Sequence, residues 1–441
     1  MNTKVVFSNE TQKFKELKPL DFEFCPTAEW KVLNIYPDLC FQKIYGFGGA
    51  FTDSSAINFS KMSDKTKSEF IDLMFDKEKG LGYNFCRSTI NSCDFSAEEY
   101  TYTDENDLLL ESFDISHDEE NIIPMIKTAL TKAGEIFLFS SPWSPPGYMK
   151  DSGEMLEGGK LKKEFYSVWA NYYVKFIEKY AEKGVKISGI TVQNEPMATQ
   201  TWESCIYTIE EQILFVRDYL KPAFKKAGLN DVKIMIWDHN KEHLYDCAKA
   251  IKTTDGAEDC IDGIAFHWYS GDHFDNLRFA HETAPNMFLA ASEFCFGGVK
   301  PDWKDALKYA TDISGNFNSF MNASCDWNMV LDENGGPYHA RTGGCKAVVH
   351  YNTEKDALIV MPHYYAVKHF STFIQKDAIR LGTSTWSDRI SVCAFLNPNG
   401  STVAVITSNH DKAQNCLLRF KNFAAKIEVE PKSITTIIIE E

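Results

Sequence analysis

The sequence predicts an eight-stranded (β/α)8 barrel carrying an all-β sandwich, built from the C-terminus plus N-terminal strands. Three observations lead there. Between about residues 44 and 332, β-like segments alternate with helical stretches, and there are eight of them. After about residue 373 only short strands follow. The first 40 residues also read as strands, too few to bury a core of their own, so they are assigned to the C-terminal sandwich. The expected division is thus 1–40 with the sandwich, 41–372 as the barrel, and 373–441 as the rest of the sandwich.

Taken in order, KVVF, LDFEF and WKVLNIY lack helical period and are the N-terminal strands. The eight barrel strands are expected within 44–53, 83–95, 135–143, 187–195, 232–240, 262–270, 287–294 and 324–332. Between the third and fourth, Phe165, Val168, Trp169, Tyr172, Phe176 and Tyr180 recur at helical spacing, and Gly184 marks the stop. Thr208 and Glu211 have capping-box spacing at the head of TIEEQILFVRDYL. Long loops are expected after strands 2 and 3. Beyond a helix near 363–373, turn residues such as those at 397–400 separate the final strands.

Composition narrows the function. The 441 residues carry 46 Lys and Arg against 62 Asp and Glu, a formal net charge of -16. Nucleic-acid partners are therefore not expected, since phosphate binding needs a concentrated basic surface. Neutral partners fit better, and the 14% aromatic content suits the apolar faces of sugars. Apolar runs such as 357–361 are too short for a transmembrane helix, and MNTKVVFSNETQKFKELK does not read as a secretory signal. Twelve scattered cysteines without zinc spacing read as reduced thiols, which together with the N-terminus gives a cytoplasmic expectation.

In such a barrel, catalytic side chains come from the C-terminal ends of strands. Strand 4 ends in Gln193-Asn194-Glu195-Pro196 and strand 7 in Ser292-Glu293-Phe294, on opposite sides of the barrel mouth. One glutamate at a strand end is by default a loop salt bridge. Two that face one gap suit glycoside hydrolysis, where one carboxyl protonates the leaving oxygen and the other attacks the anomeric carbon. A spacing of roughly 5–5.5 Å gives retention.

The segments GFGGAFTDSSA (46–56), INSCDFS (90–96), SPWSPPGYMK (141–150), TVQNEP (191–196), HWYSGDH (267–273), ASEF (291–294) and DWN (326–328) resemble glycoside hydrolase family 30. That family comprises glucosylceramidase-like retaining β-glycosidases. The resemblance implies Glu195 as acid/base, Glu293 as nucleophile and Asn194 as partner of the sugar 2-hydroxyl. It implies Asp53 as the carboxylate gripping two sugar hydroxyls, against the plainer role of capping the helix that follows. Trp143 and Trp327 resemble subsite aromatics. Tyr269 is expected to bond Glu293 and keep it ionised while Glu195 stays protonated. His267 reads either as pocket wall or as a buried structural histidine. Asp238, His239 and Asn240 end strand 5 at the mouth, and Arg87 is expected to pair with a catalytic carboxylate.

No cofactor or metal is expected: His267, Asp238 and His239 share no ligand spacing. The expected activity is a retaining, exo-acting β-glucosidase on short β-glycosides. A β-1,6-glucanase, β-xylosidase or β-fucosidase of the same family is the alternative, and a non-catalytic sugar-binding protein the alternative of another class. The pair Glu195 and Glu293 argues against the last.

Overall fold

The computed structural model describes residues 1–440. Eight parallel strands close a barrel in sequential order. Barrel strands 1 to 8 are Gly46–Phe51, Phe85–Ile90, Phe137–Pro142, Gly189–Thr191, Lys233–Asn240, Gly263–His267, Phe288–Glu293 and Ala323–Asn328. All eight expected segments are present but shorter, for local reasons. Strand 2 stops where Asn91 turns left-handed, and strand 4 stops three residues short of Glu195, which is left-handed at φ 44°. At the end of strand 8, Val330–Asp332 leaves the barrel and pairs with Val349–Asn352 in a small separate sheet.

Side chains alternate across each strand, and the inward set fills the lumen. Phe85 and Phe139 from strands 2 and 3, with Met235, pack there against Ala265, Ala290, Ala323 and Cys325. Large rings on one side thus face small residues on the other. Alternation then sends Arg87, two residues beyond Phe85, into the lumen one layer nearer the mouth. Close strand approach also explains a glycine in the GFGGAF segment: a Cβ on Gly48 would lie 1.6 Å from the Phe85 carbonyl oxygen.

The helices pack their apolar faces on the outside. Tyr166–Glu182 buries Trp169, Tyr172, Tyr173, Phe176 and Tyr180. It ends at Gly184, whose φ of 79° lets Val185 donate back to the Tyr180 carbonyl. Thr208 and Glu211 form the capping box that their spacing predicts.

Asn2–Ser8 pairs antiparallel with Ser433–Glu440, and Val32–Lys43 lies between Ile379–Ser384 and Gln414–Phe420. The N-terminal strands therefore complete the sandwich, around a core that includes Leu33, Ile35, Leu418 and Ile437. Ile379–Ser384, flanked by charge and glycine, is a strand that periodicity alone does not single out. Among the described residues, no helix is long and apolar enough to cross a membrane.

The helix Pro362–Ser371 joins barrel to sandwich. Its buried His369 contacts Ser8 Oγ through Nε2 and Thr436 Oγ1 through Nδ1, both at 2.8 Å. Burial pushes its pKa down to about 3, so the ring is neutral at pH 7. Replacing it by alanine takes one partner from each of two buried hydroxyls, which keep the Phe14 N–H and the His369 carbonyl, and leaves a cavity, so His369→Ala is expected to cost about 2–4 kcal/mol at pH 7, read as a lower urea midpoint. The folded-state pKa lies below the unfolded one, so the histidine's contribution is full above about pH 6.5 and fades as pH falls toward 3. The penalty should shrink by about 1.4 kcal/mol per pH unit over that window. A penalty that stays constant from pH 7 to 4 contradicts this.

Candidate active site

Arg87 is wholly buried and uses all five of its N–H donors. Nη1 donates to Glu293 Oε2 at 2.7 Å and to the Ser292 carbonyl at 3.4 Å. Nη2 donates to Asp238 Oδ2 at 2.7 Å and Asn194 Oδ1 at 2.9 Å, and Nε to Ser141 Oγ at 3.0 Å. The Trp143 and Trp327 rings, stacked with centroids 5.1 Å apart, lie 4.6 and 5.3 Å from the guanidinium carbon. Both indoles line the pocket, as the resemblance implies.

Asp238 reaches the lumen because strand 5 bulges. Trp237 and Asp238 both have left-handed backbones, and the register with strand 6 shifts there. Trp237 therefore turns outward, although Met235 two residues earlier faces the lumen. Asp238 then accepts from Arg87, Thr191, Ser292 and His267. Burial raises its pKa, but Arg87 and these donors outweigh burial and hold it well below the usual carboxylate range.

His267 bridges outward, with Nε2 3.0 Å from Asp238 Oδ1 and Nδ1 3.2 Å from Glu195 Oε1. Burial works against its charge, yet Glu293, Asp238 and Glu195 raise its pKa to about 9. It is an imidazolium that donates from both nitrogens, wholly buried and outside the pocket lining, which favours the buried structural reading over the pocket wall.

The backbone beyond strand 4 is pinned on both sides. Asn194 N–H donates to the Pro142 carbonyl at 2.8 Å, and Glu195 N–H to the Asp238 carbonyl at 3.0 Å. The left-handed Glu195 is a conformation few non-glycine residues adopt, held here by its neighbours. Glu195 Oε2 accepts from Gln200 at 3.1 Å. Glu293 Oε1 accepts from the Tyr269 hydroxyl at 3.0 Å. Ligand atoms of Glu195, His267 and Glu293 lie within 4.8 Å of one another. His239 lines the pocket, with Nδ1 3.9 Å from Glu195 Oε1.

The surroundings bias the two glutamates in the direction opposite to the sequence expectation. Burial raises Glu293, and His267 and Arg87 only partly offset it. Burial also raises Glu195, but the histidinium donates to it directly and brings it below its ordinary value. Three groups within 4.8 Å also match the reach of a cation, but both ring nitrogens of His267 already donate to carboxylates.

Asp53 corrects the expectation for the sugar-gripping acid. It is buried, its Oδ2 accepts from Ala97 N–H at 3.0 Å and its Oδ1 lies 3.4 Å from His117, outside the pocket lining. It is not the helix cap either: Thr52 caps the helix Asp53–Lys61. Asp94, in the INSCDFS segment, stands in the pocket instead. Arg341 donates to its Oδ2, and burial pushes its pKa up to about 7 against the pull of that guanidinium. Asp94 follows the left-handed Asn91, in a loop where no period gives side-chain direction. The INSCDFS motif marks this segment in the sequence, but nothing in it tells which way the carboxylate turns.

The cavity holds about 710 Å³. Around it, loops following strands 2, 4 and 8 are laced together. His339 contacts the Ser96 carbonyl and Glu203, and Thr201 donates to the Ala340 carbonyl at 2.6 Å.

Residues 44–374 match the model of the glycosyl hydrolase family 30 TIM-barrel domain, and residues 377–437 that of the family 30 beta-sandwich domain. The chain belongs to glycoside hydrolase family 30. It is 34% identical to putative glucosylceramidase 3 of Caenorhabditis elegans over 90% of this chain and 80% of that protein. It is 33% identical to the lysosomal acid glucosylceramidase of Mus musculus, over 86% and 78%. An endo-1,6-β-D-glucanase of Trichoderma harzianum is 28% identical over 83% and 77%. The crystal structure of SrfJ from Salmonella typhimurium superposes with a TM-score of 0.96 at 31% identity, covering all of both chains. This family 30 chain is a glycoside hydrolase, with a carbohydrate substrate.

The two aspartates separate in kinetics. Asp94→Asn, which weakens a charged acceptor in the pocket, is expected to lower kcat/KM by about 10–100-fold. Asp53→Asn should leave KM within about twofold, its effect falling on thermal stability instead. Equal KM effects would contradict the placement of Asp94.

Proposed function

We propose that this family 30 enzyme is a retaining, exo-acting β-glucosidase that removes one terminal residue from short β-glucosides. The observation that carries the reading is the pair of carboxylates within 4.8 Å, Glu293 bound to Arg87 and Tyr269, Glu195 bound to His267 and Gln200. Such separation suits direct attack and leaves no room for an intervening water between acid and base. The lacing of the loops after strands 2, 4 and 8 favours a blind pocket over a through-going groove, hence exo action. The twelve free cysteines fit a reducing compartment, in line with a cytoplasmic enzyme.

Glu293 attacks the anomeric carbon while Glu195 protonates the departing oxygen, and Glu195 then takes a proton from the water that releases the sugar. Hydrolysis therefore needs Glu195 protonated and Glu293 ionised, against the bias of the unliganded surroundings. Positive charge growing at the anomeric carbon stabilises Glu293 as carboxylate, and the leaving oxygen gives the proton on Glu195 its acceptor. Asn194, its side-chain oxygen held by Arg87, keeps its amide free to donate to the 2-hydroxyl, and Asp94 takes hydroxyls at the far end of the sugar. One reading competes: the relatives that are endo-1,6-β-glucanases favour attack within a β-1,6-linked chain.

Hydrolysis of aryl β-glucoside, β-xyloside, β-fucoside and β-galactoside is the test, beside a β-1,6-linked glucan. Glucose release from the glucoside is expected; turnover of another sugar without it overturns the sugar, and oligosaccharides from the polymer overturn exo action. Glu293→Gln should lose about 10³-fold or more in kcat. An unchanged rate would refute Glu293 as the nucleophile.

A further inference from the structure

Two thiols stand at the rim of the active-site pocket, one of them two residues beyond Glu293. Cys295 and Cys345 both line the cavity, with sulfurs 3.6 Å apart. They come from the loops after strands 7 and 8. A two-residue antiparallel ribbon joins those loops, pairing Phe296 with Lys346 and Gly297 with Cys345. Gly298 N–H extends it by donating to the Gly344 carbonyl at 2.9 Å.

The two sulfurs are not equivalent. Cys295 donates its S–H to Cys345. That bond, with burial, pushes the Cys295 thiol well up. The same bond draws Cys345 down against burial, helped by Arg341, whose Nη2 lies 3.6 Å from the sulfur. One thiol therefore suits attack and the other resolution. The pair is also tied to the chemistry, because the Tyr269 hydroxyl lies 3.3 Å from Cys295 Sγ and 3.0 Å from Glu293 Oε1.

We propose that Cys295 and Cys345 form a modification site, a dithiol that a low-molecular-weight disulfide converts into an intramolecular disulfide, reversibly switching hydrolysis off. Only the switching part rests on the glycosidase reading. The Cys345 thiolate attacks one sulfur of R–S–S–R, breaking that bond and releasing R–S⁻. Cys295 then loses its proton and attacks the Cys345 sulfur, expelling the second R–S⁻. Both cysteines are oxidised, by two electrons in all, and the reagent is reduced. The two released thiolates take up the protons that the cysteines gave up.

Bond formation must bring the sulfurs from 3.6 Å to about 2.05 Å. Cys345 sits opposite Gly297, a diagonal step from Cys295, so closure drags the ribbon rather than merely turning two side chains. Cys295 leaves the Tyr269 hydroxyl, and the tyrosine that bonds Glu293 loses its second contact while the ribbon shifts beside it.

The test treats the folded full-length chain with bis(2-hydroxyethyl) disulfide, then maps peptides without reduction. A Cys295–Cys345 crosslink about 2 Da lighter than its reduced parts is expected. Hydrolysis of the glycoside that the reduced enzyme accepts should fall by about tenfold or more, and dithiothreitol should restore it. Cys345→Ser, compared with its own untreated rate, should be insensitive to the reagent, whereas Cys295→Ser should stop at a mixed disulfide on Cys345 and form no crosslink. Should no glycoside of the panel be hydrolysed, weakened iminosugar binding after treatment, read by calorimetry, serves as the switching measurement. Absence of the crosslink overturns the site. A crosslink with unchanged hydrolysis or binding overturns the switch, as does equal inhibition of both serine variants.

Discussion

A guanidinium with no exposed surface spans the barrel at Arg87, and the site follows from the need to satisfy it. A buried cation deprived of a partner costs about 3–5 kcal/mol, so each of its five N–H groups must find an acceptor. Strand 5 bulges to bring Asp238 inward, the Asn194 amide turns its oxygen to Nη2, and Glu293 is drawn to Nη1. The Trp143 and Trp327 rings cover the guanidinium toward the mouth. The same charge that anchors the proposed nucleophile thus orients the group proposed to meet the sugar 2-hydroxyl.

One layer out, Asp238 passes the organisation to His267, and His267 passes it to Glu195. The two carboxylates proposed for catalysis are therefore coupled through a histidinium rather than tuned separately. This accounts for opposite shifts in the pair, Glu195 drawn below and Glu293 pushed above the ordinary value.

Sequence pattern reached the parts of this structure that repeat. The alternation of β-like segments with helical stretches marks every barrel strand, and the strand-end rule with the family motifs points to Glu195, Glu293, Arg87 and Tyr269, which the fold brings together. It misled where backbone irregularity decides direction. Asp53 and Asp94 both sit in motif segments near the ends of strands 1 and 2, but only the loop that follows the left-handed Asn91 turns its carboxylate into the pocket. The rim was opaque for another reason: Arg341 meets Asp94 across 247 positions and Cys345 meets Cys295 across 50, pairings set by loop packing and by no local propensity. Strands 2 and 4 ended early where Asn91 and Glu195 took left-handed conformations.

The central claim is that the glutamate held by Arg87 is the group that bonds covalently to the sugar. A 2-deoxy-2-fluoro-β-glucoside with a good leaving group traps that intermediate, because the fluorine slows its release more than its formation. Peptide mass mapping of the inactivated chain should find one sugar per chain, on Glu293 within 291–296. Label on Glu195, or inactivation with no label on Glu293, would contradict the account.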